Sequence, residues 1–217
     1  MPLRVRYQTI EFDSVDIHLC TLRDKQQFSD HLGEAESMGI SSAQWSLFGV
    51  VWESSEVLAT EMQHFDIKNK RILELGCGIG LASLLLNSRH ADITATDIHP
   101  LAGEFLSSNV RLNRGRPIPF LRTAWDENRK GLGLFDVIIG SDVLYEHQHI
   151  ALLTHFISLH TKPSCEIILV DPGRKMHAPF SKAMVALGFS HSQRKACGNK
   201  GELSPFTGQI LAYRRVE

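Results

Sequence analysis

The stretch LELGCGIGLA (73–82) constrains the fold more than any other part of this 217-residue chain. A short apolar run, RILEL (71–75), enters a loop with Gly76, Gly78 and Gly80 at alternate positions, and LASLLLNSRH (81–90), helical in character, follows at once. Glycine has no Cβ and adopts positive φ freely, so a loop of this kind can turn sharply and lie close against a ligand. In a doubly wound sheet such a loop sits at the carboxyl end of a parallel strand, where ligands bind.

The chain around it alternates between strand and helix signals. DITATDI (92–98) reads as a strand and LAGEFLSSNVRLN (101–113) as a helix, followed by a strand IPFLRTA (118–124) after a Pro-rich turn. FDVIIGSD (135–142), HIALLTHFISLH (149–160), EIILVD (166–171) and FSKAMVALG (180–188) continue as strand, helix, strand, helix. Two weaker strands, FSHSQRK (189–195) and GQILAYRR (208–215), are separated only by a loop with Gly198, Gly201 and Pro205, which predicts a terminal antiparallel pair. Upstream, VVWESSEVLATEMQHF spaces Val51, Val57, Leu58, Met62 and Phe65 as a helix, with Ser54 or Ser55 as its cap. Two β-like runs in residues 3–22 break at Asp13-Ser14 and predict a hairpin, and residues 24–44 predict a loop or frayed helix. The expected architecture is α/β: a Rossmann-like doubly wound, mostly parallel seven-stranded sheet with a terminal antiparallel strand pair. An N-terminal extension (1–44) precedes the main domain (45–217).

Composition narrows the function. The formal net charge of -1 provides no overall positive field to draw the chain to nucleic acid or acidic lipid. The four cysteines, Cys20, Cys77, Cys165 and Cys197, are far apart and form no C-x-x-C pair. That spacing argues against a disulfide framework or a structural zinc site and fits a reducing cytoplasm. The first residues lack the apolar segment of a signal peptide, and no apolar run approaches the ~20 residues of a membrane span.

Asp97 ends the strand after the glycine loop, where an acid can accept hydrogen bonds from both ribose hydroxyls of an adenosine. Loop and acid together suit a dinucleotide or S-adenosylmethionine. Two residues favour the latter. Leu81 stands where the dinucleotide fingerprint wants Gly or Ala, and Glu74, just before the loop, would repel a pyrophosphate but suits a cationic amino-acid cofactor.

At LELGCGIG the chain resembles a class I S-adenosylmethionine-dependent methyltransferase. VWESSEVLA, TAWDEN and GSDVLYE narrow the resemblance to the seven-β-strand protein-lysine methyltransferases, methyltransferase family 16. DPGR (171–174) resembles a bacterial branch that includes relatives of the electron-transfer-flavoprotein lysine methyltransferase and has also been labelled as nicotinamide methylases. The resemblance implies cofactor contacts from Trp52, Gly76, Cys77, Gly78, Asp97, Trp125 and Ser141. It places Asp142 and Tyr145 beside the transferred methyl as the catalytic pair, with a lysine side chain of a protein as acceptor. Residues 1–44 and those beyond 171 depart from the pattern of the eukaryotic members.

Each site residue also has a plainer reading. Trp52 and Trp125 are core residues in that view, Cys77 a small filler, and Asp142 the cap of the following helix. His147 and His149 form an H-x-H without a third ligand and read as solvated, so no metal is expected; Arg111, Arg114 and Arg116 read as a solvated loop. The alternatives to a protein methyltransferase are a small-molecule N-methyltransferase with a nicotinamide-like substrate and a non-catalytic module that keeps the cofactor fold. An NAD-dependent oxidoreductase is disfavoured by Leu81, by Glu74 and by the lack of a separate catalytic domain.

Overall fold

The computed structural model of the chain describes residues 3–25, 27–41, 45, 47–126, 131–145, 147–196 and 206–216. Cys197, the loop residues Gly198, Gly201 and Pro205, and the last residues of TAWDEN and GSDVLYE lie outside them. In chain order the elements are β1 (Val5–Phe12), β2 (Val15–Leu22), α1 (Glu34–Ser37), α2 (Glu53–Gln63), β3 (Arg71–Leu75), α3 (Leu81–Ser88), β4 (Asp92–Asp97), α4 (Ala102–Leu112), β5 (Phe120–Arg122), β6 (Phe135–Ser141), α5 (His147–His160), β7 (Thr161–Asp171), α6 (His177–Ala186), β8 (Ser190–Lys195) and β9 (Gln209–Arg215).

Seven strands form the main sheet in the order β5-β4-β3-β6-β7-β9-β8. The first five run parallel, as strands joined by helical crossovers must, and β9 enters antiparallel between β7 and β8. The central strands bury both faces, so they read as continuous apolar runs. One face packs against α2, α3 and α4 through Leu58, Met62, Leu85 and Leu106; the other packs against α5 and α6 through Leu153, Phe156, Phe180 and Met184. Among the described residues no helix is long and apolar enough to cross a membrane.

Three local differences from the sequence reading have physical causes. β5 is only Phe120–Arg122, because Pro117 and Pro119 have no N–H to give a ladder; the Pro119 carbonyl still accepts the Ala95 N–H at 2.9 Å. β7 starts early, at Thr161, and the register with β6 shifts between Phe135 and Val137, which accommodates Pro163 in an irregular stretch. Neither Ser54 nor Ser55 caps α2. Trp52 occupies the cap position, and the Ser55 hydroxyl instead donates to the Trp52 carbonyl at 2.7 Å.

The expected hairpin forms a separate two-stranded sheet, β1 and β2, with Phe12 opposite Val15 across the Asp13-Ser14 turn. Ile17, Leu19 and Leu22 of β2 enter the same apolar cluster as α2, α3 and α4. Its free edge is met by two asparagines one helical turn apart, Asn109 on α4 and Asn113 at its C-terminal cap. Asn109 accepts the Cys20 N–H at 2.7 Å and donates to the Cys20 carbonyl at 3.3 Å. Asn113 does the same for His18, at 2.8 and 2.6 Å. Each carboxamide thus pairs with a strand residue as another strand would. Asn109 also donates to the Ile79 carbonyl at 3.2 Å, which couples the hairpin to the glycine loop.

Asn109 is fully buried, whereas the Asn113–His18 contacts are exposed. Asn109→Ala leaves buried groups without partners and is expected to cost about 1–3 kcal/mol, whereas Asn113→Ala costs less than about 1 kcal/mol. Urea denaturation of both variants checks this, and equal losses would show that the buried amide has no special role in docking the hairpin.

Candidate active site

The strand register brings the sequence-predicted residues to one end of the sheet. Glu74 pairs with Ala95 and Leu75 with Gly140, so Asp97, Gly76 and Ser141 emerge side by side from β4, β3 and β6. Ser141 pairs in turn with Val170, which sets Asp142 beside Asp171 at the end of β7.

The glycine loop is fixed by bonds from its own backbone. The Cys77 N–H donates to the Thr96 carbonyl at 2.9 Å, and the Gly78 N–H to one oxygen of Asp97 at 2.8 Å. The other Asp97 oxygen accepts the His99 N–H at 2.7 Å. Each oxygen keeps a further lone pair, as binding of two ribose hydroxyls requires. Burial pushes the Asp97 carboxyl up, and the His99 and Gly78 N–H bonds pull it back. His99, which the sequence reading passed over, buttresses this turn: its ring stacks on Phe48 at 3.8 Å and meets the edge of Phe28 at 4.4 Å. Burial pushes its pKa down to about 3, so it is a neutral aromatic wall.

Glu74 is buried and turned toward α3, where its carboxylate accepts the Ser83 N–H at 2.9 Å and the Ser83 hydroxyl. A carboxylate in the first turn of a helix meets the positive end of the helix dipole. Burial nevertheless pushes the Glu74 carboxyl up to about 7. Cys77 is buried and its thiol is also pushed up, chiefly by burial, as befits a space-filling group.

Gly78, at φ 56, has nothing within 4 Å of where a Cβ would stand, so open space lies over the loop. The loop, the acid and this space fit an adenosine-bearing ligand. Trp52 gives its indole N–H to the Leu47 carbonyl at 3.0 Å, and the Lys25 ammonium lies 5.2 Å from the ring. Trp125 is partly buried and meets His149 edge-on at 5.3 Å.

Asp142 and Tyr145 follow β6. Asp142 has φ 53, a left-handed conformation that Asp tolerates better than most residues, and its N–H bonds to the Val170 carbonyl at 2.9 Å. It does not cap α5. Its carboxylate is gripped by Arg174, with Nε at 2.5 Å from Oδ1 and Nη2 at 2.7 Å from Oδ2. Arg174 is the last residue of DPGR, a motif that the sequence reading used for kinship and not for chemistry. His149 corrects a second expectation: it is buried, packed edge-on against Tyr145 at 4.5 Å and Trp125 at 5.3 Å, while His147 is exposed. His149 therefore links Tyr145 to Trp125 through ring contacts. Among the described residues no group of three or more His, Cys, Asp or Glu side chains could hold a metal ion.

Glu74 generates a prediction. Its folded pKa of about 7 lies above the ordinary 4.5, so folding takes up a proton between those values. The resulting stabilisation is full below about pH 4.5 and is lost as the pH rises through 7, up to about 3 kcal/mol. Glu74→Gln is expected to flatten the fall in stability between about pH 5 and pH 8 in urea denaturation. An unchanged slope would show that Glu74 is not the group responsible.

A family model described as lysine methyltransferase matches residues 35–183. The chain is 36% identical over 115 residues to protein N-lysine methyltransferase METTL21A of Danio rerio, a match covering 48% of this chain and 52% of that protein. It is 28% identical over 132 residues to EEF1A lysine methyltransferase 3 of Xenopus tropicalis, 58% of each chain. It is 30% identical over 114 residues to the electron transfer flavoprotein beta subunit lysine methyltransferase of Rattus norvegicus, 50% of this chain and 42% of that one. The chain thus spans about half the length of the curated relatives it matches. Among solved structures, the T. thermophilus 16S rRNA N2 G1207 methyltransferase superposes with a TM-score of 0.67 at 14% identity, covering 99% of this chain and 52% of that one. Magnesium protoporphyrin IX methyltransferase from Synechocystis gives 0.60 at 20% identity, covering 76% and 80%. These two share the fold. The family match takes in the glycine loop, Asp97, Trp125 and the Asp142–Tyr145 pair, and on that ground the chain belongs to the lysine methyltransferase family.

Proposed function

We propose that this chain is an S-adenosylmethionine-dependent methyltransferase whose acceptor is a lysine side chain of a protein. The observation that carries the reading is the emergence, from neighbouring strands, of an adenosine-type cradle on β3 and β4 and an Asp-x-x-Tyr pair after β6. The relatives carry names of protein-lysine methyltransferases, but their named substrates differ, so the assignment stops at the class of acceptor.

The cofactor, when bound, supplies an electrophilic methyl on a sulfonium. The chain's own residues bind and position. Asp97 takes the ribose hydroxyls, and the loop from Gly76 to Gly78 lets the backbone approach. Glu74 provides negative charge behind the loop. Trp52, Trp125 and Ser141 line the flanks. The acceptor nitrogen must be neutral to attack, and its lone pair forms the new N–C bond as the S–C bond breaks. Asp142 accepts a hydrogen bond that orients the amine, and the Tyr145 ring walls the methyl and favours cationic groups at its face. Holding both partners in line is the main task of such a site.

Two measurements check this reading. S-adenosylhomocysteine is expected to bind in calorimetry and NAD to give no heat of binding. Asp97→Asn, which keeps an acceptor for one loop N–H, is expected to weaken binding by about 1.5–3 kcal/mol. Incubation with methyl-labelled S-adenosylmethionine and cell extract is expected to place label in protein, recovered as methyllysine after hydrolysis. Label confined to small molecules would move the acceptor to that class. Cofactor binding without transfer would reduce the chain to a binding module.

A further inference from the structure

The carboxylate placed at the acceptor is not a bare charge. Arg174 pairs with both of its oxygens, at 2.5 and 2.7 Å, and the pair is 41% exposed at the arginine and 19% at the aspartate. A tight turn carries Arg174. β7 ends at Asp171, Pro172 stops the ladder, and Gly173 at φ 96 and Lys175 at φ 66 reverse the chain on either side of Arg174. The same guanidinium stands 6.0 Å from the Tyr145 ring. Among the described residues, the other ionisable groups around the pair include Asp171 from β7, which is buried, and His177 at the start of α6, whose Nδ1 lies 3.5 Å from Asp171 Oδ2. His149 from α5 packs on Tyr145.

A lysine acceptor brings two opposed requirements. It must be oriented by an acceptor group, yet it must lose its proton before it can attack. An unpaired carboxylate within ~4–6 Å would raise the lysine pKa by about 1–3 units and hold it protonated. A carboxylate has about four lone-pair sites, and a two-point guanidinium contact occupies two of them. The charge is cancelled while acceptor capacity remains.

We propose that Arg174 is a positioning residue for the acceptor, neutralising Asp142 so that this carboxylate hydrogen-bonds a neutral lysine amine without stabilising the ammonium form. This rests on the reading of Asp142 as the acceptor-side group. It accounts for the bidentate geometry, which a nearby point charge would not require. The strong pairing is reflected in Arg174 itself, whose pKa is pushed up chiefly by its hydrogen bonds to Asp142.

The test is the pH dependence of single-turnover methyllysine formation, with saturating S-adenosylmethionine and total cell protein as the acceptor pool. Arg174→Gln is expected to move the rising limb to higher pH, by about 1 pH unit or more. Turnover at about pH 7 then falls tenfold or more, since each pH unit the limb moves lowers the neutral amine there by roughly tenfold, and it recovers toward about pH 10. Arg174→Lys, which keeps the charge but not the two-point contact, is expected to place the limb between those of the wild type and Arg174→Gln. Removing both charges, in Asp142→Asn with Arg174→Gln, is expected to return the limb toward its wild-type position at lower turnover. S-adenosylhomocysteine affinity and melting temperature report folding independently and are expected to change little. A parallel loss at every pH in Arg174→Gln would leave Arg174 a purely structural role and overturn the proposal. A uniform gain would overturn it too, showing that Arg174 blocks the acceptor seat. Absence of methyllysine in the wild-type arm at all pH values would instead overturn the lysine-acceptor reading, and the proposal with it.

Discussion

The glycine loop and the first turn of the helix that follows it carry donors that no ladder of the sheet or helix satisfies, and carboxylates on two adjacent strands take them. Asp97 binds the Gly78 N–H, and Glu74 binds the Ser83 N–H and hydroxyl in the first turn of α3. A loop with left-handed residues at Gly76, Gly78 and Gly80 has many other conformations available when unrestrained. The two carboxylates select one, and they do so from β3 and β4, the rigid centre of the sheet. The arrangement concentrates buried negative charge, and Asp97 adds to the rise in the Glu74 pKa. A cationic ligand would relieve that tension; a pyrophosphate would increase it. The same contacts that set the loop's shape thus bias the charge of what can lie on it.

The remaining parts extend from this restraint. Gly80 lets α4 approach so closely that a Cβ there would stand 2.4 Å from Leu106 Cδ1. α4 in turn presents Asn109, which holds both the Ile79 carbonyl of the loop and the edge of the N-terminal hairpin. On the other side, β6 carries Ser141 alongside Gly76 and then turns through left-handed Asp142. There the electrostatic problem changes. Behind the loop Glu74 and Asp97 are held by neutral N–H and hydroxyl donors; at Asp142 the charge is matched by Arg174. Under the proposed function this division suits a cationic cofactor on one side and an amine that must be neutral on the other.

The fold and the meeting of the glycine loop with Asp97 were legible in the sequence because both depend on local, periodic signals. Apolar runs at strand length, helical spacing between them, alternate glycines and an acid at the next strand end each have few structural solutions. The hairpin was also legible from its β-like runs and the Asp13-Ser14 break. What escaped depends on contacts between residues distant in sequence. Arg174 lies thirty-two positions from Asp142, and no spacing rule links a DPGR turn to a carboxylate on the preceding strand. His149 read as a solvated histidine at a helix start, but the Trp125 and Tyr145 rings close over that face. Asn109 and Asn113 looked like ordinary polar residues of a helix surface until β2 was laid against them. Glu74 was visible as an acid before the loop, while its turn toward Ser83 required the register of α3 against β3.

A crystal structure with S-adenosylhomocysteine bound tests the central claim most directly. The nucleoside is expected over Gly76–Gly78, with both ribose hydroxyls within hydrogen-bond distance of Asp97 and the sulfur facing Asp142 and Tyr145. The contradicting result would be a nucleoside held elsewhere, for example in the cleft of about 510 Å³ lined by Leu3, Phe28, Asp30, Leu32, Pro100 and Leu101, with no ribose hydroxyl on Asp97.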